Sequence, residues 1–162
     1  MRTLRGAALA AVAGTALVGL TSCSFISPAD PVRDDSGDIV ASSDSDVFQV
    51  RVGDCLNVLE LDEEVESVPT VPCSESHDGE VYASSDLPDG DFPGEEEIEV
   101  LADEYCYGEF AGFMGVAWEN SELDFTYFRP TQDGWDRLDD RELLCIVVDP
   151  DGVTGTLEGS AR

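Results

Sequence analysis

The stretch Leu143-Leu144-Cys145-Ile146-Val147-Val148 contains only apolar side chains, and half of them are β-branched. A short continuous apolar run of this kind is typical of a strand that is buried on both faces of a sheet. We therefore predict a central strand at residues 143–148. Cys145, in the middle of this strand, is placed to form a disulfide in the core.

The segment from Glu95 to about Gly115 has the one clear helical pattern in the chain. Its apolar side chains recur at helical spacing on one face: Ile98, Leu101, Ala102, Tyr105, Cys106 and Phe113. Three glutamates, Glu95–Glu97, occupy the first turn, where the helix macrodipole favours negative charge. The pattern therefore predicts a helix that turns Cys106 toward the sheet.

Short strands are predicted on both sides of this helix, at residues 47–52, 65–71, 80–83 and 123–128, with an edge strand at 153–157. Leu87-Pro88-Asp89-Gly90 has the residues of a tight turn and ends the third strand. Several strands and a single long helix predict an α+β fold, in which one main helix packs on an antiparallel sheet.

The first residues have the pattern of an export signal. Arg2 and Arg5 precede an apolar run from Gly6 to Leu20, which is shorter than the roughly 20 residues needed to span a membrane. Leu20-Thr21-Ser22-Cys23 resembles the lipobox of bacterial lipoproteins, whose cysteine receives a diacylglyceryl thioether before cleavage. We therefore predict a lipoprotein signal peptide at residues 1–22 and lipidation of Cys23.

Acyl chains such as palmitate on Cys23 would anchor the protein at the extracytoplasmic face of the cell membrane, because two or more chains bind stably. Residues 23–46 are rich in Ser, Asp and Pro, which predicts a flexible acidic tether before a folded domain at residues 47–162. The alternatives are an ordinary signal peptide, with Cys23 as a fifth disulfide candidate, and a binding role for the acidic serines.

The charge balance excludes one class of function. The chain of 162 residues has 8 basic residues, all arginine, against 36 acidic ones, and its formal charge is −28. Removing residues 1–22 takes away Arg2 and Arg5 but no acid, which lowers the formal charge to about −30. Nucleic-acid binding is excluded because it depends on neutralising phosphates with Lys or Arg.

Four cysteines remain when Cys23 is set aside, and an even number in an exported domain predicts two disulfides. Their spacings are too wide for a Cys-x-x-Cys metal or redox motif. Of the three pairings, we favour Cys55–Cys73 and Cys106–Cys145, because each joins segments that we expect to be neighbours.

Several short motifs occur together in the folded part. Gly53-Asp54-Cys55 is followed by Cys73-Ser74-Glu75-Ser76-His77-Asp78-Gly79-Glu80-Val81, and later by Tyr127-Phe128-Arg129-Pro130-Thr131, Trp135, Asp140-Arg141 and Cys145. Together they resemble the actinobacterial septum formation family from about Val47 to the C-terminus. The resemblance implies an extracytoplasmic domain with a part in septum formation or cell division, and it brings no established biochemical activity.

The chain departs from this family at two positions. Ser76 stands where the family usually has proline, and Asp139 stands where glycine commonly precedes Asp-Arg. Both positions lie beside turns that the resemblance expects.

Two enzymatic or metal-binding alternatives follow from the residues. His77 lies four residues after Cys73, so the pair is a candidate nucleophile and base of an envelope hydrolase or thiol enzyme. The alternative is a bridged Cys73 and a His77 that forms a hydrogen bond within its turn, for instance with Glu80. Two acidic stretches, at residues 133–140 and 149–152, offer carboxylates to a divalent cation without the ligand spacing of an EF-hand.

Trp118, Phe125, Tyr127 and Trp135 are the aromatic residues most suited to contacts. For Trp135, the alternative to a partner contact is packing over the sheet end, and Arg141 is expected to pair with a nearby carboxylate. We predict a non-enzymatic envelope lipoprotein without metal or cofactor, attached to the membrane through its lipid and bound to a protein partner. The predicted partner contacts are His77, Glu80, Trp135 and Arg141.

Overall fold

The computed structural model describes residues 29–62 and 65–162, so the predicted signal peptide and Cys23 lie outside the described residues. The strands are β1 (Val32–Arg33), β2 (Ile39–Ala41), β3 (Ser43–Asp46), β4 (Cys55–Leu56), β5 (Ser67–Val71), β6 (His77–Asp86), β7 (Asp124–Phe128) and β8 (Glu142–Val153). The α-helices are α1 (Glu95–Met114) and α2 (Gln132–Leu138). Among the described residues, no helix combines the length and apolar character that a membrane span needs.

Six strands form one antiparallel sheet in the order β3-β5-β4-β6-β8-β7, and β1 and β2 form a separate pair. β8 lies between β6 and β7, and residues 143–148 are all buried. The predicted central strand is therefore confirmed. Helix α1 packs on this sheet, so the α+β fold with one main helix is also confirmed.

Helix α1 is anchored on the sheet by every fourth residue: Ile98, Ala102, Cys106, Phe110 and Met114, each 0 % exposed. Phe110 packs edge-to-face on Tyr82 of β6, with ring centroids 5.9 Å apart. The helix ends at Met114 and is capped by Gly115, whose left-handed φ of 78° is a conformation that glycine adopts without steric cost. This apolar stripe fixes which face of α1 remains exposed.

Two disulfides cross-link the domain in the predicted pairing. Cys106–Cys145 joins α1 to β8 with Cα atoms 5.4 Å apart, and both cysteines are 0 % exposed. Cys55–Cys73 joins β4 to the segment that follows β5, with Cα atoms 5.2 Å apart. Each bond connects elements that the sheet brings together, as we expected from the sequence.

The tether predicted for residues 23–46 is wrong for its C-terminal part. Strand β3 pairs with β5 in the main sheet, and the side chain of Ser45 is 0 % exposed. The Oγ of Ser45 is 2.6 Å from the Oγ1 of Thr70 in a buried hydrogen bond. A polar edge strand can be ordered by ladder and hydroxyl hydrogen bonds, which a compositional test for disorder does not count.

The predicted strand at residues 47–52 is also wrong. Residues Val47–Gln49 form a 3₁₀ helix, because Asp46 caps it by accepting a hydrogen bond from the amide of Phe48 at 3.0 Å. Val50 is buried, whereas Phe48 and Val52 are about half exposed. Of the alternating apolar residues Phe48, Val50 and Val52, only Val50 is buried. The cap at Asp46, and not the alternation, decides the backbone conformation here.

Arg33 of β1 attaches the N-terminal segment to the domain. Its two terminal nitrogens each donate a hydrogen bond of 2.6 Å to a different carboxylate oxygen of Asp54. The guanidinium also donates to the carbonyl oxygens of Gly37 and Gln49, each at 2.9 Å. The two side chains are 13 % and 5 % exposed, so solvent screens this bidentate pair weakly.

We expect Arg33→Gln to lower the free energy of unfolding by about 2 kcal/mol, because Asp54 would keep a buried charge without its cation. The amide of Arg51 still donates to Asp54 at 2.8 Å and limits the loss. Urea unfolding measures the free energy, and hydrogen exchange in β1–β3 locates the effect. Arg137→Gln is the matched control, because the Arg137–Asp133 pair is 74 % and 71 % exposed and should contribute less than about 0.5 kcal/mol. Equal losses for the two variants would contradict the prediction.

Candidate functional site

His77 begins β6 and lies inside the domain, with 1 % of its surface exposed. Its Nδ1 is 2.9 Å from the carbonyl oxygen of Glu75. A carbonyl can only accept a hydrogen bond, so Nδ1 carries a proton and donates it to this carbonyl oxygen. The predicted hydrogen bond within the turn is therefore present, but its acceptor is the backbone of Glu75 and not Glu80.

Glu80 holds the C-terminal segment against the sheet. Glu80 is 2 % exposed. Its carboxylate accepts hydrogen bonds from the hydroxyl of Thr156 at 2.6 Å and from the amide of Leu157 at 2.5 Å. Strand β8 ends at Val153, so the edge strand predicted for residues 153–157 is wrong. Thr156 and Leu157 are held by their hydrogen bonds to the Glu80 side chain and not by pairing with a strand.

Cys55, His77 and Glu80 bring three metal-ligand atoms within 4.8 Å of one another. Sheet register explains the grouping, because Cys55 on β4 pairs with Glu80 on β6. The sulfur of Cys55 is bonded to that of Cys73, and a disulfide sulfur lacks the charge of the thiolate that binds metals. The oxidised domain therefore offers an imidazole and an already hydrogen-bonded carboxylate at this position.

Trp135 of α2 is buried in a cluster with Ile98, Ala102 and Leu143, and 5 % of its surface is exposed. Its Nε1 donates to the carbonyl oxygen of Gly90 at 2.9 Å, and Phe92 packs edge-on against the ring. The guanidinium carbon of Arg141 lies 3.7 Å above the ring centroid, in a cation–π contact. Arg141 also pairs with Asp139 at 3.0 Å, as expected from the sequence.

The acidic stretch at residues 133–140 folds as a helix and not as a cation-binding loop. Thr131 caps α2 by accepting from the amide of Gly134 at 3.1 Å, and Asp133 pairs with Arg137 at 2.8 Å. Asp139 ends the helix with a left-handed φ of 58°, which accounts for the glycine that the family resemblance expects there.

In the second acidic stretch, residues 149–152, Asp149 is 1 % exposed and its carboxylate pairs with Arg162 at 2.6 Å. Another oxygen of Asp149 accepts a hydrogen bond from the amide of Asp151 at 3.2 Å. This carboxylate therefore stabilises the C-terminal segment through an arginine.

These positions correct the predicted partner contacts. His77, Glu80 and Trp135 are 1 %, 2 % and 5 % exposed, and the side chain of Arg141 is 13 % exposed. Their hydrogen bonds and stacking contacts lie within the domain. The motif residues therefore hold the fold together, and an exposed contact surface has to be sought elsewhere.

An exposed aromatic surface lies where α1, the 3₁₀ helix Trp118–Asn120 and β7 meet. We call it the aromatic groove, a hollow of about 480 Å³ lined by Asp103, Glu104, Tyr107, Trp118, Asp124 and Phe125. The sequence indicated Trp118 and Phe125 as contact residues but did not single out Tyr107. A usable signal was present, because Tyr107 follows the exposed Val100 by seven residues, which places both on the same outer face of α1.

A second hollow, of about 590 Å³, lies beside α2 and includes Phe48, Asp86, Leu138, Asp140 and Arg141 in its lining. Burial raises the pKa of Asp140, and the negative charge of Asp86 contributes in the same direction. Arg141 lies among these carboxylates and supplies a compensating positive charge. The lining of this hollow carries five carboxylates against the one guanidinium of Arg141, so it is acidic as a whole.

The family model described as septum formation matches residues 40–162, well over half of the chain. The match begins before residue 47 and so includes β3, in agreement with the ordered N-terminal strands. Comparisons with curated proteins and with solved structures return no match. The description of the family associates the domain with a role in cell division. The chain belongs to the septum formation family.

Proposed function

We propose that this protein is a non-enzymatic lipoprotein that binds a protein partner in the cell envelope during septum formation. In this proposal, acyl chains on Cys23 hold it at the extracytoplasmic face of the membrane. The lipobox-like Leu20-Thr21-Ser22-Cys23 and the short apolar run before it support the anchor. The family match supports the link with septum formation.

The observation that carries the proposal is the pairing of the four cysteines Cys55, Cys73, Cys106 and Cys145 in two disulfides. Disulfides persist in oxidising compartments outside the cytoplasm and are rare inside it. The same pairing supports a non-enzymatic role. A thiol enzyme built on Cys73 and His77 needs a free thiolate, and the sulfur of Cys73 is bonded to that of Cys55.

Fluorescent fusions in dividing cells test the place of action. We expect the full-length protein to concentrate at the septum and its deletion to alter septum placement or timing. The Cys23→Ala variant should carry no lipid, as measured by mass spectrometry. It should also leave the membrane fraction, because the acyl chains supply the attachment. Uniform signal together with normal septa in the deletion strain would contradict the division role.

Alkylation of the native, unreduced protein tests the non-enzymatic part. We expect Cys55, Cys73, Cys106 and Cys145 to resist alkylation until a reductant is added, with mass spectrometry as the readout. The reduced and unfolded protein is the control for complete labelling. A Cys73 that is alkylated in the native protein would favour the thiol enzyme.

A further inference from the structure

The floor of the aromatic groove is a set of rings in edge-to-face contact. The Trp118 ring lies 6.1 Å from the rings of both Tyr107 and Phe125, at interplanar angles of 72° and 71°. Phe125 in turn contacts the buried Phe110 of α1. Tyr107 is 47 % exposed and Trp118 is 38 % exposed, although both are anchored to the core through this chain of rings.

Carboxylates hold the two exposed rings in place. The indole Nε1 of Trp118 donates to Asp124 at 3.0 Å, and the hydroxyl of Tyr107 donates to the carboxylate of Glu119. That hydrogen bond and the charge of Glu119 raise the pKa of Tyr107, so the phenol stays protonated and the groove gains no charge from it. The rings are thus preorganised, which lowers the entropy lost when a ligand binds.

Negative charge lines the groove, and no cation is among its lining residues. Asp103, Glu104 and Asp124 are three of its six lining residues, and none of the six is basic. Five of the six arginines in the described part of the chain form ion pairs outside the groove: Arg33, Arg129, Arg137, Arg141 and Arg162. Aromatic faces bordered by uncompensated carboxylates attract a positive charge from outside the domain.

We propose that the aromatic groove binds an arginine- or lysine-bearing segment of a protein partner. A guanidinium has the chemistry that fits best, because it stacks on an indole face and directs its N–H groups to carboxylates in the same plane. The volume of about 480 Å³ falls within the roughly 300–1,000 Å³ of small-ligand sites.

The protein partner is favoured over a second copy of this chain. Each copy carries 36 acidic residues against 8 basic ones, so two copies repel each other electrostatically. The inference rests on the proposed function, because it names where the envelope partner would bind and which charge that partner presents.

Nuclear magnetic resonance with short peptides tests the site. The probe is the peptide acetyl-Gly-Arg-Gly-Arg-Gly-amide, and the control is the same peptide with neutral citrulline at both arginines. We expect the arginine peptide to shift the indole N–H resonance of Trp118 and to leave that of the buried Trp135 unchanged. The citrulline peptide should bind at least about five-fold more weakly, because it keeps the shape but lacks the charge. Equal binding of the two peptides would overturn the inference.

Variants separate a built site from general charge attraction. Trp118→Leu and Asp124→Asn should each weaken binding about five-fold, because one removes a π face and the other removes a charge while keeping a hydrogen-bond acceptor. Glu96→Gln is the matched control, since it removes one exposed carboxylate of α1 outside the groove lining. If Glu96→Gln weakened binding as much as Asp124→Asn, the groove would have no special role. Unchanged backbone spectra confirm that each variant folds.

A cell experiment keeps this inference distinct from the proposed function. Cells whose only copy carries Trp118→Leu should reproduce the septum phenotype of the deletion while the protein still reaches the membrane. Normal septa in these cells, together with defective septa in the deletion strain, would overturn the inference about the aromatic groove and leave the proposed function intact. Normal septa in the deletion strain would contradict the proposed function. The peptide experiments would then still test whether the groove binds a cationic side chain.

Discussion

Replacing both Cys106 and Cys145 by alanine is expected to lower the free energy of unfolding by about 4 kcal/mol. The bond closes a loop with a sequence separation of 39, and constraining the unfolded chain over such a loop contributes about this much in the chain-entropy model. Both cysteines are 0 % exposed, so the loss also loosens the contact between α1 and β8. Urea unfolding followed by circular dichroism measures the change.

The second disulfide is the matched comparison for this prediction. Its sequence separation is 18, for which the same model gives about 3 kcal/mol. Replacing Cys55 and Cys73 by alanine should therefore cost less than replacing Cys106 and Cys145. The variant lacking Cys106 should also bind the arginine peptide more weakly, because the adjacent Tyr107 loses its fixed position. A larger loss for the Cys55–Cys73 variant would contradict the prediction that the Cys106–Cys145 bond, which holds α1 on β8, stabilises the domain more.

Glu80→Gln is expected to lower the free energy of unfolding by about 3 kcal/mol. The carboxylate accepts a part-buried hydrogen bond from the hydroxyl of Thr156 and a buried one from the amide of Leu157, and hydrogen bonds to a charged group contribute about 1.5–3 kcal/mol each. A glutamine keeps one acceptor oxygen but turns its NH₂ group toward the remaining donor. Urea unfolding gives the loss, and exchange of the Leu157 amide shows where the structure opens.

Two variants bracket this effect. Thr156→Val removes one of the two hydrogen bonds and should cost about 1.5 kcal/mol, whereas Glu158→Gln alters an exposed carboxylate and should cost less than about 0.5 kcal/mol. If Glu80→Gln were no more destabilising than Glu158→Gln, the prediction that Glu80 holds the C-terminal segment would be wrong.

Local patterns in the sequence were enough to predict the elements that form the core. The apolar run around Cys145 indicated a central strand, and the spacing of Ile98, Ala102 and Cys106 indicated the buried face of α1. Both hold because side-chain periodicity depends on backbone geometry within a few residues. The same patterns failed for β3, whose Ser and Asp side chains are ordered by pairing with β5, a strand more than twenty residues away.

The functional residues divide in the same way. Trp118 and Phe125 were recognised as contact aromatics because residue type alone points to them. Trp135 was taken for a partner contact because it lies in a polar stretch, but its three-dimensional neighbours are Gly90 and Arg141. A polar or aromatic residue that stands out in the sequence can be required inside the domain, where a fully hydrogen-bonded polar network makes the core rigid.

The sequence by itself determined that this is an α+β domain with two disulfides and one main helix, because periodicity and cysteine count are local or additive properties. Only the tertiary structure decided that Arg33 attaches the N-terminal strands to Asp54, that Glu80 holds the C-terminal segment, and that Tyr107, Trp118 and Phe125 share one groove. The physical reason is that these contacts depend on sheet register and on which helix face is left exposed. Both are set by packing between segments that are distant along the chain.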